Sequence, residues 1–449
     1  MAPTMRPLRA MTDPVPGPRS PAAVQTLRWL TAPIPFMEEC RRRFGDIFSL
    51  RFLGFERPMV LLGDPEAIRE LYANPEHGLP PGRTAALRPI MGERSILLLE
   101  GAEHLERRRL MLPAFHGERM RAYEDAIARI AHARVDGWPA ELELHGAMRA
   151  ITFEVILEVV FGVTDQARAA RLRELLARLL DGTASPVLSF RVMAARRLGR
   201  RDPLEAFAPL SAEIDEILLE EIRLRRASPG GEDVLSMLLA ARFADGGALS
   251  DRELRDQLVT LLLAGHETTA TALAWTFDLL THAPAAMRRL RAELAEGADE
   301  WLRAVICESL RLRPVLPLAG RRLRSELRAG GLTLPAGSDV SPAIWLVHTR
   351  PDLYPQPYEF RPERFLGRAP STYAWVPFGG GVRRCLGAAF AELEMRVVLA
   401  AVLSRVRLEP ARARPETVAR RNITFAPRHG TRVRALHVEG RPQAAALEL

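Results

Sequence analysis

One run dominates what this chain can fold into: SDRELRDQLVTLLLAGHETTATALAWTFDLLTHAP, Ser250 to Pro284. Ser250 and Glu253 have capping-box spacing, and Pro284 limits the far end. Roughly 30 residues therefore form one helix of ~45 Å at 1.5 Å per residue, long enough to cross a molecule. The rest of the chain must pack around it. Its middle is apolar except for AGHETT. Gly265 lowers helix stability, and Thr268 and Thr269 can bond back to carbonyls one turn earlier. Together they can open the helix and leave a hydroxyl beside a cavity, or simply kink it. Glu267 sets this stretch apart, because an acid in a greasy helix needs a partner or a purpose.

A second stretch, VPFGGGVRRCLGAAFAELEM (Val376 to Met395), places a cysteine between a glycine turn and a helix. Gly379, Gly380 and Gly381 permit positive φ and close approach. Apolar residues recur at helical spacing from Leu386 to Leu403, so Cys385 stands at a helix mouth, where free amides are expected to lower its pKa. Such a thiolate could attack a substrate, join a disulfide or bind a metal. Only three cysteines occur, Cys40, Cys307 and Cys385, and none lies in a CxxC pair. That count argues against a disulfide framework or a zinc site and points to a reducing cytoplasm.

Charge decides less than it first suggests. The net charge is +8, yet the chain has no lysine, and its arginines are scattered among 55 acids without a basic block. Nucleic acid is not the expected partner. No signal peptide or membrane anchor is visible: LRWLTAPIPFM is far short of the ~20 apolar residues that a span needs. Residues 1–22 are proline-rich and expected to be mobile; residues 23–449 read as a single domain without repeats. DIFSLRFLG and RPMVLLG read as short strands, followed by a helix capped by Asp64-Pro65. Helical patterning runs from about Glu100 to Leu312, with breaks at 181–186, 200–203 and 227–233. Strand signals return at 331–346 and near 421–438, around an irregular, proline-rich stretch from Pro351 to Pro377. The fold class is mainly α with small β-sheets.

Two further motifs carry charge. AVICESLRLRP sets Glu308 and Arg311 on one face of a helix ending before Pro314. Its apolar flanks predict burial, and a buried pair left incomplete costs several kcal/mol. A third polar partner is therefore expected, and FRPERF offers Arg364. EGAEHLERRRLMLPAFHG sets His104 and Arg108 at i,i+4, which suits a carboxylate or phosphate but also describes an ordinary basic face.

The order of these motifs resembles the cytochrome P450 family of haem-thiolate monooxygenases: HxxxR, AGxETT, ExxR, PERF, then FGGGVRRCLG. The resemblance spans nearly the whole chain, and PAFHGERM and LYPQPYEFRPERFLG are most similar to soluble bacterial members that oxidise fatty acids, alkanes or terpenoids. It implies the P450 fold, with haem b between the long helix and the cysteine turn. Cys385 would be the thiolate ligand of the iron. Phe378 would shield the sulfur, and Gly381 and Gly387 would let backbone and macrocycle approach. His104, Arg108, Arg383 and Arg321 would hold the propionates, with Arg322 a near-equal alternative to Arg321. Glu308, Arg311 and Arg364 would lock the segment leading to the cysteine. Thr268, with Glu267 behind it, would deliver protons during oxygen activation. Pocket residues implied are Ala264, Leu316, Leu318 and Thr424, within the stretches Leu261–Ala264, Leu316–Ala319 and Ile423–Phe425, together with the loop Ile90–Leu98.

The implied reaction inserts one oxygen atom of O2 into a C–H bond of an apolar substrate. Electrons from NAD(P)H would arrive through a ferredoxin reductase and a ferredoxin, since no flavin or iron–sulfur segment is apparent. Arg107, Arg109 and Arg384 are expected to steer that acidic donor towards a cytoplasmic monomer. The alternatives are a peroxide-driven peroxygenase, whose relatives carry a different polar pair in place of Glu267-Thr268, and a non-catalytic haem sensor. One departure from the family pattern stands out. The segment between Pro284 and Glu308 is short and lacks the loop and apolar motif expected before ExxR.

Overall fold

The computed structural model describes residues 15–78, 88–117, 119–163, 165–183, 188, 191–192, 195, 202–421 and 423–438. The expected breaks at 181–186 and 200–203 lie partly outside these residues.

The central helix runs unbroken from Asp251 to Thr281, and the capping box of Ser250 and Glu253 is present at its start. Twenty-two of its residues are buried, including Trp275, Phe277 and Leu280, so helices pack around it on nearly every side. Neighbours include Leu144–Val155, Ala208–Ala227, Glu300–Leu312 and Ala388–Arg405. Their apolar faces meet in one large core. Removing such side chains from water is the main favourable term in holding the layers together.

Gly265 does not open the helix. A Cβ at this position would lie 2.8 Å from Ile156 Cδ1, and Ile156 begins a π-helical turn, Ile156–Val160, that ends Leu144–Val155. The glycine therefore permits close helix–helix approach.

A four-stranded sheet lies to one side, in the order Ile47–Leu50, Met59–Leu62, Asp339–Pro342 and Arg321–Arg322. Met59–Leu62 and Asp339–Pro342 pair in parallel, and the other contacts are antiparallel. The Asp64 side chain caps the helix Pro65–Ala73, as Asp-Pro predicts. A three-stranded sheet joins Glu141–Glu143, Arg432–His437 and Val406–Pro410. The last of these was not apparent in the sequence, where it directly follows the cysteine helix.

The described part of the proline-rich entry, from Val15 onward, lies along the strand Ile47–Leu50 and the first helix. Pro16 O accepts from Ser49 N–H at 2.8 Å, Val15 O from the Ser49 hydroxyl at 3.1 Å, and Ser20 O from Gln25 Nε2 at 2.8 Å. The short connection before Glu308 is compact for a visible reason. Glu293 on Pro284–Ala295 accepts from the N–H groups of Trp301 and Leu302 at 2.7 and 3.2 Å, so one carboxylate caps the start of Glu300–Leu312.

Candidate active site

The cysteine turn is built against Tyr72. Gly381 has φ +62, and a Cβ there would sit 2.9 Å from Tyr72 O; one at Gly380 would lie 2.3 Å from the Tyr72 ring. Only glycine fits both the conformation and the space. Cys385 N–H donates to Phe378 O at 2.9 Å, closing the turn. Phe378 packs edge-on to Trp375 with ring centroids 6.0 Å apart, and Trp375 Nε1 donates to Cys307 O at 3.0 Å.

Cys385 is accessible, yet it lies deep among protein atoms, which places it in an interior crevice. The pKa prediction needs correcting. Burial raises the thiol above its ordinary value, while the Gly387 N–H, Arg108 and Arg384 act in the opposite direction. Desolvation of the charged form outweighs the amides at the helix mouth. Cys40 and Cys307 are also free thiols, pushed up by burial to about 11 and about 12.

Four basic side chains converge nearby. His104 is buried, and its pKa falls to about 4 through desolvation and then through Arg383, Arg108 and Arg321. Arg383 donates to Ile96 O at 3.3 Å and to Leu99 O. Burial, followed by Arg321, lowers its pKa to about 10 despite Glu100. Arg321 is buried and bonds to the carbonyls of Gly320 and Ala319 at 2.9 and 3.4 Å. Arg322 is not its equal, because it makes a two-pronged pair with Asp339 at 2.6 and 2.8 Å.

The expected triad is present and buried. Glu308 and Arg311 are both 0% exposed, with Arg311 Nε and Nη2 donating to the carboxylate at 2.6 and 2.8 Å. Arg364 Nε adds a bond of 3.3 Å and Arg361 N–H one of 2.9 Å. Arg311 also donates to His348 O and Pro357 O at 2.6 and 2.8 Å, gripping the irregular segment. His348 escaped the sequence reading. Fully buried, it lies 3.1 Å from Arg311 O through Nδ1 and accepts from Val376 N–H at 2.9 Å through Nε2. Burial and Arg311 push its pKa to about 3, so the ring is neutral and its Nδ1 is the donor. It ties the ExxR helix to the start of the cysteine segment.

On the central helix, Ala264 is exposed and Leu261, Gly265 and Thr268 are half-buried, although the residues around them are core. These positions share one helical face and form an accessible strip inside the molecule. Thr268 donates to Ala264 O at 2.6 Å, the bond back to the preceding turn that the sequence suggested. Glu267 turns away to Arg149, with Oε2 2.9 Å from Nε. Among the remaining pocket candidates, Leu316 is half-buried. Leu318 packs into a separate core with Phe48, Trp345 and Phe425, and buried Thr424 bonds to Arg421 O at 2.9 Å. Neither Leu318 nor Thr424 is on the accessible strip. Arg107 also departs from expectation: it is 3% exposed, paired with Glu253 and stacked over Phe243. Arg109 and Arg384 are exposed.

The sequence model of the cytochrome P450 family matches residues 15–431, and the chain belongs to that family. It is a cytochrome P450 monooxygenase. Cytochrome P450 135B1 of Mycobacterium tuberculosis is 41% identical over 439 residues, covering 93% of this chain and 90% of that protein. Cytochrome P450 137 of the same organism is 41% identical over 399 residues, covering 88% and 83%. Among solved structures, a cyanobacterial CYP120A1 with retinoic acid bound matches with a TM-score of 0.79 at 26% identity, over 92% of this chain and 96% of that one. The haem domain of cytochrome P450DA shares the fold, with a TM-score of 0.82 at 23% identity, over 95% and 98%.

The residues present fit the family's haem. The guanidinium groups of Arg108, Arg321 and Arg383, beside the neutral His104, need anionic partners, and Glu100, the acid that acts on Arg383, is already paired with Arg324. The two propionates of haem would supply that charge. The accessible Cys385 sulfur is a soft ligand suited to iron. Among the described residues, no helix is long and apolar enough to cross a membrane.

Proposed function

We propose that the protein oxidises a fatty acid, alkane or terpenoid at a C–H bond, using O2 and electrons passed from NAD(P)H through a ferredoxin reductase and a ferredoxin. The observation that carries this reading is the accessible strip of Leu261, Ala264, Gly265 and Thr268 inside the core, which offers apolar contact surface and one hydroxyl. The half-buried Leu316, Leu97 and Leu98 would add apolar contacts. The cyanobacterial CYP120A1 structure has retinoic acid bound.

Haem held by Cys385 would supply oxygen binding and O–O cleavage. The chain's own residues do the rest. Cys385, backed by the Gly387 N–H and shielded by Phe378, carries the ligand charge. His104, Arg108, Arg321 and Arg383 would hold the propionates. Glu308, Arg311 and Arg364 keep the cysteine segment in place. Thr268, whose hydroxyl donates to Ala264 O, would hold a proton at the accessible strip, and Glu267 at the adjacent position would replenish it. Exposed Arg109 and Arg384 draw in an acidic donor; buried Arg107 has no part in this.

A screen of fatty acids, alkanes and terpenoids for a low-to-high spin shift of the ferric protein tests the substrate class. No shift with any of the three classes would reject it. Thr268→Ala should retain haem and substrate binding while diverting NAD(P)H from product to hydrogen peroxide. Unchanged coupling would remove Thr268 from the proton path.

A further inference from the structure

Glu267 is held by a histidine that no motif announces. The helix Leu144–Val155 lies along the central helix and presents His145 and Arg149, one turn apart. Arg149 pairs with Glu267 Oε2, and His145 Nε2 lies 3.5 Å from Oε1 and 3.1 Å from Thr271 Oγ1. Glu267 and Thr271 are i,i+4, so a single imidazole reaches both. Among the described residues, further charged or titratable neighbours include His266, with Nε2 3.9 Å from Glu267 Oε2, and Arg421 from the strand Val418–Arg421.

His145 is 0% exposed. Burial and then Arg421 and Arg149 push its pKa to about 3, so the ring is neutral. A lone pair on Nε2 would oppose the carboxylate, which assigns the proton to Nε2 and leaves Nδ1 bare. Among the described residues, Nδ1 has no hydrogen-bond partner. A buried polar atom without a partner costs stability, and a leucine of similar volume would avoid that cost. A polar ring kept at such a position has work elsewhere.

We propose that His145 is a positioning residue for Glu267: its Nε2–H, shared with Thr271, holds the carboxylate ionised and at a fixed angle behind Thr268, opposite Arg149. Because Nδ1 leads nowhere, the proton path does not run through His145. Protons reach Glu267 from its own accessible side, where its side chain is 25% and that of Arg149 30% exposed. This inference rests on the reading of Glu267 as the acid that serves Thr268.

The test uses the haem-loaded protein and infrared difference spectra, wild type minus Glu267→Gln, to follow the Glu267 carboxyl against pH. Removing a donor to the charged form should raise the midpoint in His145→Leu by about one unit, a tenfold change in proton affinity. His145→Gln, which keeps a donor, should bring it back towards wild type. A wild-type midpoint in His145→Leu overturns the proposal. So does a His145→Gln midpoint equal to the leucine value, which would assign the effect to packing. If His145→Leu does not fold, His145→Ala replaces it in the same measurement, and a wild-type midpoint there overturns the proposal. The parent reading fails separately: Glu267→Gln with wild-type product yield per NAD(P)H would end the catalytic role while the infrared shift still reported the contact.

Discussion

Replacing Glu308 by alanine removes the acceptor for two Arg311 donors, Arg364 Nε and the Arg361 N–H. Arg311, wholly buried, keeps its carbonyl partners but loses the carboxylate it is paired with. Breaking a buried pair from one side costs about 3–5 kcal/mol. At about 2.1 cal/mol/K per residue, a chain of this length unfolds with an entropy of roughly 0.9 kcal/mol/K, so the melting temperature should fall by only about 3–6 °C. The local effect is larger. The same Arg311 holds His348 O and Pro357 O, so the segment leading to Cys385 loosens and haem incorporation suffers first. Purified Glu308→Ala should therefore show low haem occupancy beside a modest shift in melting. Full haem occupancy with a melting temperature within about 1 °C of wild type would refute the reasoning, since 1 °C corresponds to only about 1 kcal/mol here.

Other variants probe separate links. Gly381→Ala must place a methyl 2.9 Å from Tyr72 O at φ +62, so little haem-loaded protein should form; a wild-type yield would show that the turn can shift. Glu394, fully buried and bonded to Thr269, has its pKa raised to about 8 from a usual 4.5, chiefly by burial. Its unfolded form sheds the proton above pH 4.5 while the folded form keeps it to about pH 8, so stability declines as pH rises through that window. Glu394→Gln should be more stable than wild type by up to about 3 kcal/mol at pH 7, at ~1.4 kcal/mol per unit, and the gain should vanish near pH 4.5 in denaturant titrations; a constant gain at both pH values would contradict this. Charge reversal at Arg109 and Arg384 together should slow first-electron transfer from a ferredoxin and flatten its dependence on salt near 0.1 M, where the Debye length is about 10 Å; an unchanged rate and salt slope would place the donor elsewhere.

What the sequence made legible was local or repetitive. The Ser250–Glu253 box, the length of the central helix and the i,i+3 spacing of Glu308 and Arg311 are properties of neighbouring residues, and all appear in the structure. Arg364 was reachable because a buried ion pair requires further partners. Choosing between Arg321 and Arg322 was not possible locally, because Asp339 decides it through strand pairing. Arg107 looked like a surface residue until Glu253 and Phe243, more than 130 positions away, covered it. His145, His348 and Glu394 belong to the same class. Each is an unremarkable letter whose chemistry comes from burial and from partners brought by another element. Cys385 shows the converse, since its helix position argued for a lowered pKa and the surrounding protein reversed the sign.

The most direct test of the central claim is the carbon monoxide difference spectrum of the reduced protein and its cysteine variants. Wild type, Cys40→Ala and Cys307→Ala should all give the strongly red-shifted Soret band of thiolate ligation, and Cys385→Ala should not. A Cys385→Ala protein that binds haem and retains that band would show that another residue holds the iron.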